Sequence, residues 1–205
     1  MPPLPRGLNP PVFRVPFIVA TALIIAFAGG ILSALSMLNA SVGFGAIEVA
    51  GWRAFPTAQT ASADPYAKAH RAKGGRLLYG SAEGLQFTAA RDKDGLTLTG
   101  TCSYRMSGRT PTTRLWTLYA ADADGNPLDA GAERPTAKNS QTVLRRRDGS
   151  FDIVVSRTAK SGNWLAIPDT GAFQLVLTLL DTPAAASTGL SGLSMPVIEQ
   201  IGCGQ

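Results

Sequence analysis

The longest apolar segment of the chain lies near its N-terminus. From Val15 to Leu38 there are 24 residues without a charged side chain, interrupted only by one proline, one threonine, two serines and a pair of glycines. A helix of this length would reach about 36 Å at ~1.5 Å per residue, which exceeds the ~30 Å hydrocarbon core of a bilayer. The pattern predicts a single transmembrane helix over residues 15–38.

A cleaved signal peptide is the alternative explanation of this segment. Such peptides have an apolar centre of about 7–15 residues and small residues before the cleavage site. The run here is longer, and Leu38 stands where a small residue is needed. Both features favour an uncleaved anchor.

The charges on the two sides of the run predict its orientation. Arg6 and Arg14 precede it without any acidic residue, whereas Glu48 is the first charged residue after it. Because positive charge is retained in the cytoplasm, the N-terminus should lie inside and the rest of the chain should be exported. The expected organisation, at the inner membrane, is a cytoplasmic tail (1–14), the transmembrane helix (15–38), a linker (39–63) and a periplasmic domain (64–205).

Small residues recur every four positions along this predicted helix, at Ala26, Gly30 and Ala34. They share one helix face, through which two such helices could approach closely and self-associate in the bilayer. The alternative is that alanine and glycine are simply frequent in membrane helices. Beyond the helix, Trp52 is expected either at the outer headgroup layer or packed on the domain that follows.

A short helix is predicted at the start of the exported domain. Asp64 can cap its N-terminus, and Pro65 suits the first helical position. Lys73 lies in the last turn, and Gly74 can end the helix.

The rest of the domain alternates between apolar and polar positions. A period of two with one polar face is typical of antiparallel sheet. The alternation covers residues 85–89, 97–106, 151–156 and 173–180, with Asp/Gly turns at 92–95, 122–127 and 148–149. We therefore predict a mainly β domain, an antiparallel β-sandwich or jelly roll, behind one N-terminal transmembrane helix.

Composition and charge exclude some classes of protein. With 45% hydrophobic and 16% charged residues, the chain is too apolar for a disordered protein. The formal net charge is +5 and no face rich in Lys and Arg is evident, so nucleic acid is not expected as a partner. The basic run Arg145–Arg147 is expected on an edge or surface strand, where alternation would divide it between two faces.

Two cysteines, Cys102 and Cys203, fall in the part that is predicted to be exported. In an oxidising compartment an even pair favours a disulfide, which would also fasten a C-terminal tail that otherwise has little to hold it. The alternative is two unlinked thiols.

Candidate catalytic and metal-binding residues are few. His70 is the only histidine, and a histidine on a short polar helix is usually a solvated side chain. With one histidine and two cysteines expected to pair, neither a transition-metal site nor a catalytic residue or cofactor is predicted.

A calcium loop is suggested by one acidic turn. Asp122, Asp124, Asn126 and Glu133 have the spacing of an EF-hand, but Pro127 stands where that loop needs glycine and helical flanks are missing. An ordinary turn between strands is the favoured interpretation.

Two aromatic residues with polar neighbours are candidates for a binding surface. These are Trp116 with Arg114, expected on one strand face, and Trp164 with Asn163, in a turn-rich stretch. Tryptophan and arginine can form a platform for a sugar or a peptide. The alternative is packing, because large aromatic side chains are more often part of the core.

Several motifs of the exported part occur in the order of a known bacterial family. They include Asp64-Pro65-Tyr66, Ala82-Glu83-Gly84, Trp116-Thr117-Leu118, Asp148-Gly149-Ser150 and Asn163-Trp164-Leu165. Over roughly residues 52–203 the chain resembles the family called domain of unknown function 1214. The resemblance implies a jelly-roll-like β domain. It also implies a companion, domain of unknown function 1254, which precedes this module in larger members and would here reside on a separate protein.

These observations lead to one favoured function and two alternatives. The favoured function is a membrane-anchored periplasmic accessory or binding module. The first alternative is a cell-envelope hydrolase that acts on a glycan through paired carboxylates such as Asp152 or Asp169. The second is a structural subunit.

Overall fold

A computed structural model divides the chain into two compact units, Met1–Val42 and Gly43–Gln205. The structure describes residues 14–40, 46–56, 58, 63–74, 84–183 and 193–204. Most of the predicted cytoplasmic tail, including Arg6, lies outside these residues.

The first unit contains one apolar helix, α1 (Arg14–Ala40). Within it, Val15–Met37 is long and apolar enough to cross a membrane, with a mean hydropathy of 2.4 and none of its side chains buried. This agrees with the predicted membrane-spanning segment. Gly30 has open space around its Cα, and self-association through the face it shares with Ala26 and Ala34 stays a prediction.

The second unit consists of two sheets that enclose one hydrophobic core. Its elements, in chain order, are β1 (Ile47–Val49), β2 (Trp52–Ala54), α2 (Pro65–Gly74), β3 (Gly84–Ala89), β4 (Cys102–Gly108), β5 (Leu115–Ala121), β6 (Ala137–Asn139), β7 (Phe151–Ser156), β8 (Trp164–Ala166), β9 (Gln174–Leu180) and β10 (Val197–Cys203). The six-stranded sheet has the order β1-β2-β3-β9-β5-β6, and the four-stranded sheet has the order β10-β4-β7-β8. The predicted mainly β, two-sheet architecture is confirmed.

Alternation of apolar side chains explains which strand faces meet. In β7, Phe151, Ile153 and Val155 are fully buried and point to the core, whereas the residues between them are partly exposed. Strand β9 departs from this rule, because Val176 and Thr178 on its other face are buried as well. It lies in the interior of its sheet, between β3 and β5.

The strand pairs are antiparallel, as predicted, with one exception. Strand β8 pairs with β7 in parallel. At the same edge, the amide of Ala166 donates to the carbonyl of Pro135 at 2.9 Å, which joins β8 to the segment before β6 in the other sheet.

The folded domain begins before residue 64, so the predicted linker (39–63) is too long. Strand β2 pairs with both β1 and β3, and Trp52 and Ala54 are completely buried. The indole nitrogen of Trp52 donates to the carbonyl of Pro196 at 2.7 Å. Trp52 therefore packs in the domain and does not lie at a headgroup layer.

The predicted short helix is present as α2. The Asp64 carboxylate accepts hydrogen bonds from the amides of Tyr66 at 2.8 Å and Ala67 at 3.1 Å, as an N-cap residue does. The helix ends at Gly74, the predicted stop. The side chain of His70 lies outside the described part of this helix.

Two of the predicted turns share the sequence Asp-x-Asp-Gly and the same hydrogen bonds. In each, the first carboxylate accepts from the amides two and four residues later: Asp92 from Asp94 and Leu96, Asp122 from Asp124 and Asn126. The glycine has a positive φ, 82° at Gly95 and 89° at Gly125. A side chain would strain this conformation, which explains why glycine occupies the fourth position.

One local prediction is wrong. The Arg145–Arg147 run is not a strand; it lies in the loop that leads into the turn before β7. The C-terminal tail forms the exposed end of the edge strand β10, which pairs with β4 as far as Cys203.

Gly100 shows where this core tolerates no extra atom. A Cβ at Gly100 would lie 2.5 Å from the carbonyl oxygen and 2.7 Å from the nitrogen of Thr170, and both are backbone atoms that cannot move aside cheaply. We expect Gly100→Ala to lower the free energy of unfolding by about 1–3 kcal/mol. Tryptophan fluorescence during urea unfolding of the full chain in detergent micelles would measure it.

Gly171→Ala is the matched control, because nothing lies within 4 Å of a Cβ at that position. An equal loss in the two variants would contradict the steric explanation.

Candidate functional site

Trp116 and Arg114 do not form a common surface. Strand β5 begins at Leu115, and Trp116 is fully buried with its ring centroid 5.2 Å from that of Phe151. Arg114 lies just before the strand with its side chain 80% exposed, and its Nε is 3.1 Å from the carboxylate of Asp181. Packing, the alternative to a binding role, describes Trp116.

Asn163 is buried, and its side chain links the loop before β7 to strand β7 by hydrogen bonds. Its side-chain oxygen accepts from the amide of Leu144 at 2.7 Å, and its nitrogen donates to the carbonyls of Leu144 and Asp152, both at 2.8 Å. The amide group thereby holds the loop before β7 against that strand. These bonds use both donors of the side-chain nitrogen.

Trp164 is the sequence-predicted aromatic residue that keeps part of its ring accessible. It lies on β8 and is half-buried, with its indole nitrogen donating to the carbonyl of Ser156 at 3.0 Å. The parallel register pairs it with Val154, whose neighbours in β7 point inward. Trp164 therefore belongs to the outer surface of the four-stranded sheet.

We call this surface the outer face. Each of the four strands contributes to it the side chains that point away from the core. The register places Arg105 opposite Val154 on one side and Glu199 on the other, and Ser107 opposite Val197. Arg105 is exposed and Val197 is 40% exposed. The outer face thus includes Arg105, Ser107, Asp152, Val154, Trp164, Val197 and Glu199, a mixture of apolar, polar and charged groups.

Lys93 and Glu199 form an ion pair at one end of the outer face. The ammonium of Lys93 lies 2.8 Å from the carboxylate of Glu199. The hydrogen bond from Lys93, together with its charge and that of Arg105, holds the pKa of Glu199 below its usual range. The same hydrogen bond raises the pKa of Lys93. Both groups are consequently charged at neutral pH.

The carboxylates suggested for glycan hydrolysis are each bound by an arginine. Asp152, on β7, pairs with Arg146. Asp169, in the turn after β8, lies 3.0 Å from Nη1 of Arg157. Each of the two carboxylates is therefore paired with a separate arginine of this chain.

In the turn suggested for calcium, the carboxylate of Asp122 is hydrogen-bonded to other groups of the same turn. Besides two backbone amides, the Asp122 side chain accepts a hydrogen bond from the side-chain amide of Asn126 at 3.0 Å. This bond, followed by the backbone bonds, lowers the pKa of Asp122. No group of three or more His, Cys, Asp or Glu side chains is arranged to hold a metal ion in the described portion of the chain.

Two buried polar groups were not singled out by the sequence. Asp92 is 4% exposed, and its second carboxylate oxygen has no hydrogen-bond partner among the described residues. The indole nitrogen of Trp116 is in the same situation. The Asp-x-Asp-Gly pattern is the signal that indicated the turn of Asp92, although not its burial.

The predicted disulfide is present. Cys102 and Cys203 are bonded across 101 positions of sequence, at the ends of β4 and β10 where the two residues are direct partners in the sheet. There are no free cysteines.

The model of the family described as "Protein of unknown function (DUF1214)" matches residues 83–184. These residues include β3 to β9, which form most of both sheets. This part of the chain belongs to the DUF1214 family. None of the curated proteins matches the sequence.

This DUF1214 chain is similar to two proteins of known crystal structure. The VPA0106 protein from Vibrio parahaemolyticus has a TM-score of 0.56 and 19% identity, and the match covers 68% of this chain and 36% of that one. An uncharacterized protein from Burkholderia cenocepacia has a TM-score of 0.43 and 19% identity, over 85% of this chain and 42% of its own. The likeness to VPA0106 supports the fold, and this chain spans well under half the length of either protein.

The structural role of the Asn163 side chain can be tested by substitution. In Asn163→Ala the main-chain groups of Leu144 and the carbonyl of Asp152 lose their partner, which should cost about 1–3 kcal/mol of unfolding free energy. Urea unfolding of the full chain in micelles provides the measurement. Asn126→Ala removes an exposed amide and should cost less than about 1 kcal/mol. A larger loss in the control than in Asn163→Ala would refute the assignment.

Proposed function

We propose that this chain is a single-pass inner-membrane protein that displays its DUF1214 domain in the periplasm as a binding module without catalysis of its own. The observation that carries the proposal is the Cys102–Cys203 disulfide in a domain that follows a helix apolar enough to cross a bilayer. Disulfides persist in oxidising compartments, and Arg6 and Arg14 before the helix favour a cytoplasmic N-terminus.

The state of the charged side chains supports binding over catalysis. The two carboxylates that the hydrolase alternative requires are each neutralised by a different arginine, as described above. Hydrogen bonds from Ser150 lower the pKa of a further carboxyl group, that of Asp148. We therefore do not propose a hydrolase.

The outer face is the surface that we propose for a protein partner. Its half-buried tryptophan and its exposed arginine are residue types that are enriched in interfaces, and the charged pair at its end provides a polar rim. The family resemblance suggests a separate protein that carries the companion domain of unknown function 1254. The greater length of VPA0106, of which this chain spans 36%, is in keeping with a module that works beside another.

The orientation can be tested with reporter fusions at the C-terminus of the full chain. We expect an alkaline phosphatase fusion, which needs an oxidising compartment, to be active, and a green fluorescent protein fusion to be dark. The reverse result would place the domain in the cytoplasm and would end the proposal.

The partner surface can be tested by co-purification of the full chain with the companion-domain protein in mild detergent. Arg105→Glu reverses a charge on the outer face and should reduce recovery of the partner about 10-fold or more, since opposed charges at an interface cost several kcal/mol. Arg147→Glu is the matched control on an exposed loop and should leave recovery unchanged. Recovery that is equal in both variants would exclude the outer face, and no recovery with the native chain would exclude this partner.

A further inference from the structure

The two ends of the disulfide differ in accessibility. Cys102 is 9% exposed and belongs to the core cluster, whereas Cys203 is exposed at the end of edge strand β10. Thiol–disulfide exchange requires an incoming thiolate to reach one of the two sulfur atoms. The approach to Cys203 is open, and the approach to Cys102 is restricted by the core around it.

Hydroxyl groups lie beside the buried sulfur. Thr99 donates a hydrogen bond from Oγ1 to Sγ of Cys102 at 3.5 Å. Oγ1 of Thr101 lies 3.2 Å from Oγ1 of Thr99 and 3.8 Å from the same sulfur. A hydrogen bond to sulfur strengthens when the sulfur becomes an anion, so these hydroxyls stabilise Cys102 as a leaving thiolate.

The strand that carries Cys203 is held independently of the disulfide. On the far side of a bulge, Val197–Gln200 pair with β4. The carbonyl of Ile198 also accepts from the amide of Lys93 at 2.8 Å, and the side chain of Ile198 is 3% exposed in the core. Cleavage of the disulfide therefore releases only the last residues of the chain and does not require the domain to unfold.

We propose that the Cys102–Cys203 disulfide is a site of exchange with an external dithiol, which attacks Sγ of Cys203 and expels the thiolate of Cys102. A bond forms between the incoming sulfur and Cys203 as the original disulfide bond breaks, and the electron pair leaves on Cys102, which takes a proton from solvent. The second thiol of the reagent then attacks the reagent's own sulfur in this mixed disulfide and releases Cys203 as a thiolate. The protein disulfide is reduced to two thiols, and the dithiol is oxidised to a disulfide.

The site of attack can be identified with glutathione, a monothiol that stops at the mixed disulfide. The full chain in detergent micelles is treated without denaturant, free thiols are alkylated, and peptides are mapped by mass spectrometry. We expect glutathione on Cys203 and the alkyl group on Cys102. Glutathione on Cys102, or equally on both residues, would overturn the proposal.

The role of the hydroxyl is tested by the rate of reduction by dithiothreitol under the same conditions. Thr99→Val should slow reduction by about 3–10-fold, because a hydrogen bond to the leaving sulfur is lost in the transition state. Thr99→Ser retains the hydroxyl and should restore the native rate. Thr97→Val, at an exposed position nearby, is the matched control and should leave the rate unchanged.

Global unfolding is the competing route to reduction. Its rate is measured by tryptophan fluorescence in the same micelles for the native chain and each variant. Reduction at the rate of unfolding would overturn the proposal, because the disulfide would then open only when the domain does. An unchanged or faster rate in Thr99→Val would overturn the role assigned to the Thr99 hydroxyl.

Discussion

Contact between aromatic side chains of the two sheets is the interaction on which the domain depends. Trp116 on the six-stranded sheet packs against Phe151 on the four-stranded sheet, with ring centroids 5.2 Å apart. Tyr104 on β4 meets Phe173, just before β9, edge to face at 5.9 Å. Two large rings at such distances stabilise by burial and by their mutual geometry. They hold the buried faces of the two sheets together and leave the opposite faces as the available surface.

This packing explains why an aromatic residue beside a charged one is a poor guide to binding here. The indole nitrogen of Trp116 is buried without a partner among the described residues, which costs about 1–3 kcal/mol. Complete burial of the ring offsets that cost at roughly 25 cal/mol per Å² of apolar surface. The guanidinium carbon of Arg145 lies 5.8 Å from the centroid of the Phe151 ring, so an arginine does stack on this cluster. Arg145 lies in the loop before β7, far from Trp116 in the sequence, so the residues next to Trp116 could not indicate this contact.

Most of the strands that the sequence predicted have one buried and one exposed face, and β9 is the exception. Residues 85–89 and 151–156 alternate along their whole length, and they form β3 and β7. The strands that it missed are mostly only three residues long, as in β1, β2, β6 and β8, and three residues contain too little of a period to be recognised. The parallel pairing of β8 depends on a hydrogen bond to the distant Pro135, which no local pattern encodes. The disulfide was predicted because the chain has two cysteines, both in the part that is expected to be exported, whereas the outer face could be identified only from the register of all four strands.

The position of the disulfide is explained by the edge of the four-stranded sheet. An exposed edge strand offers unpaired backbone groups, and proteins limit this hazard by covering or fastening such edges. Strand β10 is an edge of the four-stranded sheet, and the carbonyl of Ile198 is covered by the amide of Lys93. Beyond the bulge its last residues are exposed and have little apolar surface to bury. A covalent bond at Cys203 fastens this end where packing cannot. Cys203, at this exposed end of the strand, is therefore also the half of the disulfide that is more open to reagents.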